Sequence, residues 1–593
     1  MCGFIACFTS EPISHCIAER ALEQLAPRGP DDKGEWREDG IFLGHRRLAI
    51  IDLDSTAAQP MVSLCGRYVI VFNGEIYNYK EIRNSLIERG VSFKTKSDTE
   101  VILNLFALEG ENMLNKLNGM FAFAIWDNKN KEAFIARDPY GIKPLYIANT
   151  SNGVIVASQV KTLLTTDLVT RNPDLIGQAN FWMLGYVPEP HTWFKDIQVL
   201  KSGHFVKIKE NRIVEYKKWL DIGDAWQTCS DIPKINSVDL YSRVKNSISE
   251  SVSRHLVADV PIGVFLSGGI DSGVLAGMMA ESVSNKILGI TITYDEYNGR
   301  FEDEAPIAAK VAEYYGIEHH IRRVTKDEFL FDLPKIIESM DQPSIDGVNT
   351  WYVCKAASEI GLKVVISGVG GDELFFGYAS FNQLPKLVSY WSKFSKLPGF
   401  MFIAHKLANY RMNKTGKRRW AHAPDMLQSI PGAWWLRRGL NAYDDLQNFM
   451  SKEQINELDK NFNVEEWVYS MTGNLSQDSM LGLAQIESMA YLRNQLLRDS
   501  DWASMAHSIE LRTPLVDAKL LFDLAPYLAL MKSYKGKILL ANAPEKPLPE
   551  FVTKRSKTGF GIPLQSWLAE ENSTGLSTDF RQWANKVVLK IYS

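Results

Sequence analysis

The sequence predicts two halves of different class: an α+β layered first half, then an α/β parallel-sheet second half with many helices. Up to about residue 210, short β-like runs separated by Gly, Asn and Asp turns dominate, and only two helical patterns interrupt them. From about residue 240, long amphipathic helices alternate with short buried strands. Between them, the polar stretch from Asp221 to Ser237 reads as a linker. The expected domains are residues 2–210 and 240–593.

In the first half the β-like runs include Ile41–Leu43, Tyr68–Phe72, Phe121–Trp126 and Val154–Ala157. The helical patterns are Tyr79 to Gly90 and a run from Asp98, as N-cap, to Leu108. Sheets packed with helices give a layered domain. In the second half Val260–Leu266, Ile287–Thr293 and Lys363–Ser367 read as parallel strands. Each ends in a polar or glycine-rich turn, as ligand-binding loops of open α/β sheets do. After Tyr378 the sequence is mostly helical and aromatic-rich.

Composition excludes several classes. Hydrophobic residues make up 45% and charged residues 23% of the 593, ordinary for a globular protein. A net charge of -4 gives no support for a nucleic-acid partner. No run approaches the ~20 apolar residues of a membrane span; the stretch Leu520 to Met531 is broken by Asp523 and Pro526. The N-terminus lacks a basic region ahead of its short apolar run, so a cytoplasmic protein is expected. Six scattered cysteines, without a CxxC or HxxxH, favour neither disulfides nor zinc.

Cys2 follows the initiator, and removal of Met1 would place the α-amine on the residue that carries the thiol. An amine with a pKa near ~8 can take the thiol proton without a separate histidine. Position alone is weak evidence; its neighbours strengthen it. Asn73-Gly74 follows an apolar strand and offers a side-chain amide beside a backbone N–H, an oxyanion hole, although Asn-Gly is more often a plain hairpin turn. Arg28 and the run His45-Arg46-Arg47 supply cations for a substrate carboxylate, and Glu75 and Asp98 supply anions for an α-ammonium. Together they suit an amino acid whose side-chain amide is attacked by a thiolate.

Ser267-Gly268-Gly269-Ile270-Asp271-Ser272 lies between an expected strand and a helix starting near Gly273. Paired glycines let the backbone approach phosphate oxygens, and the helix N-terminus adds oriented N–H groups. Asp271 would repel phosphate unless a cation lay between them, which implies Mg2+. The run lacks the Gly-Lys-Ser/Thr of a Walker loop.

Residues 2 to about 200 resemble the class II glutamine amidotransferase domain, an N-terminal-nucleophile fold. The matching pieces are Cys2-Gly3-Phe4, Arg28-Gly29-Pro30-Asp31, Arg47-Leu48, Gln59-Pro60, Asn73 to Asn78, Ser97-Asp98, Gly119 to Phe123 and Arg137-Asp138. The resemblance implies Cys2 as nucleophile, Asn73 and Gly74 as oxyanion hole, and Arg47, Asn73, Gly74, Glu75 and Asp98 as glutamine-binding residues. Pro27, where the family has His, departs from the pattern, as does Gln159 in Ser158-Gln159-Val160-Lys161, where it has Glu.

The second half is similar to that of asparagine synthetase, with a pyrophosphatase-type ATP loop. Further matches are Ile366 to Phe375, Ser504-Met505-Ala506, Glu510 to Asp517 and Lys557 to Gly561. The fold implied is an N-terminal-nucleophile layered sandwich followed by an ATP pyrophosphatase domain. The implied ATP-binding residues are Leu266, Ser267, Gly268, Gly269, Asp271, Ser272, Ile292, Ser367 and Gly368, with Phe265 beside the loop. Asp271 and Asp372 would bind Mg2+, and Lys557 would be catalytic, neutralising phosphate or acyl-adenylate charge.

The activity implied is hydrolysis of glutamine, adenylation of a carboxylate with ATP, and transfer of ammonia to it. Aspartate is the first-ranked acceptor, a uronic acid of a surface polysaccharide the second; a glutaminase or regulatory module ranks third. Two departures bear on the acceptor: Val369 stands where the family commonly has an acid, and Trp502 where it has Arg or Lys. The segment Asp341 to Asp346 is expected at the acceptor pocket. No membrane partner is expected, and a homodimer is the assembly that the resemblance leaves open.

Overall fold

The computed structural model describes residues 2–227, 235–283, 286–415, 418–458, 463–556, 561–569 and 583–588. Cys229, part of the linker and Lys557 lie outside the described residues.

Twelve strands build the first half: β1 (Gly3–Thr9), β2 (Asp32–Glu38), β3 (Ile41–Arg47), β4 (Met61–Val62), β5 (Tyr68–Ile76), β6 (Gly119–Asp127), β7 (Glu132–Arg137), β8 (Tyr146–Thr150), β9 (Gly153–Ala157), β10 (Ile197–Val199), β11 (His204–Lys209) and β12 (Arg212–Lys218). They form two six-stranded antiparallel sheets, ordered β10-β8-β9-β1-β3-β2 and β12-β11-β7-β6-β5-β4. Alternation sorts their side chains. Phe4, Ala6 and Phe8 of β1 meet Val69 and Val71 of β5 and Ala122 and Ala124 of β6 in the core between the sheets. Ile5 and Cys7 face the other way, onto Ala18, Ala21 and Leu22 of the helix His15–Gln24. On the opposite side, Ile70 and Phe72 of β5 pack with Val101, Ile102 and Leu105 of α1 (Asp98–Glu109). The result is a helix–sheet–sheet–helix sandwich.

Two expectations shift here. The N-cap of α1 is Ser97, whose hydroxyl accepts from the Thr99 N–H; Asp98 lies inside the first turn. The strand expected to end at Phe72 runs on to Ile76, so Asn73-Gly74 is neither strand end nor hairpin turn. Asn73 pairs with Ala122 and Gly74 with Phe121 on β6. Pairing overrides the turn preference because a Cβ at Gly74 would stand 2.1 Å from the Met120 carbonyl, so glycine alone fits there.

The second half holds a five-stranded parallel sheet, β13 (Ile262–Phe265), β14 (Leu288–Tyr294), β15 (Glu318–Val324), β16 (Val364–Ile366) and β17 (Glu510–Arg512), in the order β15-β14-β13-β16-β17. Three of these match expected strands; β15 and the three-residue β17 do not. From β13 the chain proceeds outward one way to β14 and β15, and from β16 the other way to β17, which makes the gap between β13 and β16 the topological switch point. The helix after β13, α2 (Ile270–Ser282), begins earlier than expected and takes Asp271 and Ser272 into its first turn.

Around the sheet lie many helices, among them α3 (Ser380–Phe394), α4 (Phe400–Thr415) and α5 (Leu497–Met505). The segment Glu487–Leu496, leading into α5, is wound as a π-helix, a form that clusters at functional sites. Among the described residues no helix is long and apolar enough to cross a membrane.

Candidate active site

The first pocket opens where β1, β3, β5 and the start of α1 converge. Cys2, Arg47, Gly74, Glu75 and Asp98 all line it, with Gln59, Thr99 and, from the second half, Glu510. Asn73 sits beside it: its Oδ1 accepts from the Cys2 N–H at 3.1 Å. Its Nδ2 is buried without a hydrogen-bond partner. Burial pushes the Cys2 thiol up, against the Leu48 carbonyl bond and the nearby Arg47 charge. Burial also raises Asp98 to about 6, although it accepts from the Ile76 N–H at 3.0 Å. Glu75 is raised by burial and by Asp98, in spite of Arg512.

Not every expected cation faces this pocket. Arg28 is buried behind it, donating to the Cys2 carbonyl at 3.0 Å and, in a fork, to Asp501 of α5 at 2.7 and 3.0 Å. Arg46 turns outward to Glu23. His45 is buried, its ring bonded to the Phe72 carbonyl at 3.0 Å, and burial pulls its pKa down to about 3, so it is neutral. Only Arg47 of these lines the pocket, its guanidinium also held by the carbonyls of Ile51, Asp52 and Asp54.

The second site is a cavity of about 750 Å³ at the switch point of the parallel sheet. Leu266, Ser267, Gly268, Gly269, Asp271, Ser272, Ile292, Ser367, Gly368 and Asp372 line it, and so does Phe265. The first loop is tied by its own serines: Ser267 Oγ and Ser272 Oγ are 2.8 Å apart, and Ser267 Oγ accepts from the Gly269 N–H at 3.1 Å. The second loop presses on the first, because a Cβ at Gly368 would stand 3.0 Å from the Ser272 nitrogen.

Asp271 and Asp372 converge on one ammonium, that of Lys537, which bonds Asp271 and lies 2.9 Å from Asp372. Burial opposes the Lys537 charge, but these carboxylates hold its pKa above the usual lysine value. Two carboxylates gathered around one cation beside a phosphate-type loop fit Mg2+, which takes one or two carboxylates and completes its shell with water and phosphate oxygens. The sequence offered no signal for Lys537; its role is visible only in the fold.

The segment expected at the acceptor pocket reaches the cavity only in part. Ile345, Asp346, Val369 and Asp499 line it. Asp341 does not: its carboxylate accepts from the Val160 and Lys161 N–H groups at 2.9 and 3.1 Å and ties the halves together. Trp502 stands behind the wall, donating its indole N–H to Asp499 at 2.8 Å. Burial and the neighbouring Asp346 raise Asp499 to about 8. Glu373, bonded to the Tyr378 hydroxyl at 2.7 Å, is raised to about 7 by burial and Asp372.

Strand β17 joins the two sites. Arg512, fully buried, donates to Glu510 at 2.6 Å, to Glu75 at 3.1 Å and to the carbonyls of His255 and Val257 at 2.7 Å each. Its own carbonyl accepts from the Ser367 N–H at 2.8 Å. The sequence singled out Glu510 and Arg512 as part of a second-half motif; their reach into the first pocket crosses 437 positions for Arg512 and Glu75 and carries no local signal.

Residues 1–220 match the glutamine amidotransferase domain model, and residues 243–584 match the asparagine synthase model. The chain is 30% identical to asparagine synthetase (glutamine-hydrolyzing) 1 of Bacillus subtilis, covering 96% of this chain and 88% of that protein. It is 32% identical to a putative asparagine synthetase (glutamine-hydrolyzing) of Mycobacterium tuberculosis over the same shares. It is also 29% identical to amidase chry2 of Gibberella zeae, over 64% of this chain and 60% of that one. With both models matched in order along nearly its whole length, the chain belongs to the asparagine synthase family and is a glutamine-hydrolysing ligase of the asparagine synthetase type.

Proposed function

We propose that the chain is a glutamine-dependent asparagine synthetase. Residues 2–210 release ammonia from glutamine; residues 240–593 adenylate aspartate and join the ammonia to it, giving asparagine, AMP and pyrophosphate. The observation that carries this reading is the shared wall: Glu510 lines the first pocket and Leu511, the next residue, lines the ATP-type cavity.

In the first pocket, removal of Met1 leaves the α-amine on Cys2, where it takes the thiol proton. The thiolate attacks the glutamine amide carbon. Asn73 Nδ2 and the Gly74 N–H stabilise the oxyanion; the unpartnered Asn73 donor supports that role. The C–N bond breaks, ammonia leaves with the returned proton, and water frees glutamate from the thioester. Glu75 and Asp98 hold the α-ammonium and Arg47 the α-carboxylate, as their place on the wall supports.

In the cavity, the two glycine loops receive the phosphates of ATP. An acceptor carboxylate oxygen attacks the α-phosphorus, and pyrophosphate departs. Ammonia then attacks the acyl carbon and AMP leaves. Asp271 and Asp372 would hold Mg2+, which when bound offsets phosphate charge. Lys557 is proposed to neutralise charge on the phosphates or acyl-adenylate. Asp346 and Asp499 stand together on the cavity wall, and an ammonium placed between them would draw the Asp499 carboxyl, held largely protonated by burial and Asp346, to its charged form; aspartate carries such an ammonium.

A second reading applies the same chemistry to a uronic acid, and Val369 on the cavity wall favours it, since an acid is common there in asparagine synthetases. The two are separated by pyrophosphate release with ATP and ammonia across a panel of aspartate, glutamate, glucuronate and galacturonate. Release with aspartate supports the first reading; release with a uronic acid alone sinks it.

A further inference from the structure

We propose that the consecutive helices α3 and α4 dock on an anionic lipid bilayer. Eight of the twenty-four exposed large hydrophobics among the described residues fall between Leu387 and Tyr410. They recur at helical spacing. Leu387, Tyr390, Phe394 and Leu397 run along α3 and the turn after it, and Ile403, Leu407 and Tyr410 run along α4 beside Phe402. Such spacing ordinarily marks a buried face, yet Phe402 and Leu407 are each 64% exposed and Tyr410 is 68% exposed.

The helices meet at the turn between them and are seated on other parts of the fold. Trp391 donates its indole N–H to the Pro424 carbonyl at 2.9 Å, and its ring meets Phe400 edge-on at 5.2 Å. Ala404 faces inward, and Arg411 stacks on Trp420 at 4.3 Å. The apolar stripes therefore face solvent as part of the fold.

Charge identifies the occupant. From Ser380 to Thr415 the sequence carries six Lys or Arg and no Asp or Glu, in a chain whose net charge is -4. All six, Lys386, Lys393, Lys396, Lys406, Arg411 and Lys414, are exposed. Large apolar side chains flanked by lysines suit helices lying flat at an anionic headgroup layer. A second copy of the chain fits worse, because a twofold contact would set the same positive field against itself. A nucleic acid would use the charges but not Ile403 and Leu407. The α4 helix of 16 residues is not long enough to span a bilayer, so the mode is interfacial. Tyr378, on the wall of the ATP-type cavity, stands two residues before α3, so the docked helices would hold that cavity close to the membrane.

The test is co-sedimentation of the full chain with vesicles of phosphatidylcholine alone and of phosphatidylcholine with phosphatidylglycerol. The expected result is binding to the anionic vesicles at least roughly tenfold above the neutral ones, weakened by salt. Two double variants, Phe402→Ser with Leu407→Ser and Lys396→Glu with Lys406→Glu, should each bind roughly tenfold less while hydrolysing glutamine at the parent rate. The proposal is overturned if anionic vesicles are not bound, or if both variants bind as the parent does. It is also overturned if the chain leaves vesicles alone and the variants instead abolish self-association or duplex DNA binding.

Discussion

Glu510 and Leu511 are neighbours on β17 and face different sites, Glu510 the Cys2 pocket and Leu511 the cavity of the two glycine loops. Strand alternation alone sends adjacent side chains to opposite faces. Arg512 returns to the side of Glu510 and reaches Glu75, while its carbonyl holds Ser367 on the second loop. One three-residue strand is therefore the partition between the two chemistries.

Arg512→Lys tests that partition. Lysine cannot bond two carboxylates and two carbonyls at once. The expected outcome is a fall in kcat/KM for glutamine of roughly tenfold, with ammonia-driven synthesis within about twofold of the parent. A thermal melt should show destabilisation of roughly 2–4 kcal/mol, since a buried ion cluster has lost part of its pairing. Equal loss of both activities would mean that Arg512 serves folding only.

Asp98 sets a pH dependence. Burial raises its pKa to about 6, so it is ionised above that value and neutral below it. The ionised form is the one proposed to hold the substrate ammonium. KM for glutamine should therefore climb as pH falls through 6, by about tenfold per unit further down. Asp98→Asn should remove this inflection and leave a high KM throughout. Initial rates, normalised at each pH to the ammonia-driven reaction, provide the check.

Asp271→Asn and Asp372→Asn should each lower acceptor-dependent pyrophosphate release by roughly a hundredfold and raise the Mg2+ concentration needed for half-maximal rate. Glutamine hydrolysis should persist in both, because neither residue lines the first pocket. Rates measured over a Mg2+ titration decide; an unchanged Mg2+ requirement would remove both carboxylates from the metal site.

Glu189 should contribute to acid stability. Burial would raise its pKa, but Arg137 at 2.8 Å and Arg493 at 3.6 Å bring it down to about 2. A carboxylate depressed in the fold adds stability above its unfolded pKa and loses it as pH falls towards the folded value. The window here runs from about 4.5 down to about 2. Glu189→Gln should cost roughly 3 kcal/mol at neutral pH and flatten denaturant stability across that window. A parent-like acid profile in the variant would contradict this account.

The lining of the Cys2 pocket was largely legible because its members come in short strings: Cys2, Arg47, Asn73-Gly74-Glu75 and Asp98 all reach one place. The ATP loops were legible for the same reason, each being the turn after one buried strand. What the sequence hid was made by distant pairing. Asn73-Gly74 resembles a turn until β6 lies against it. Arg28 resembles a substrate cation until Asp501 covers it. β17 is too short to show a period, Lys537 belongs to no motif, and Trp502 proves to be a support for Asp499 rather than part of the cavity wall.

The measurement that bears most directly on the account follows the nitrogen. The enzyme is given ATP, aspartate and glutamine labelled with 15N at the amide, in the presence of unlabelled ammonium. The account predicts asparagine enriched in the label well above the bulk ammonium, formed one for one with AMP, and no labelled asparagine from Cys2→Ala, which still makes unlabelled asparagine from ammonium. Labelled ammonia released to solution without asparagine, or asparagine with the label diluted to the level of the bulk ammonium, would contradict it.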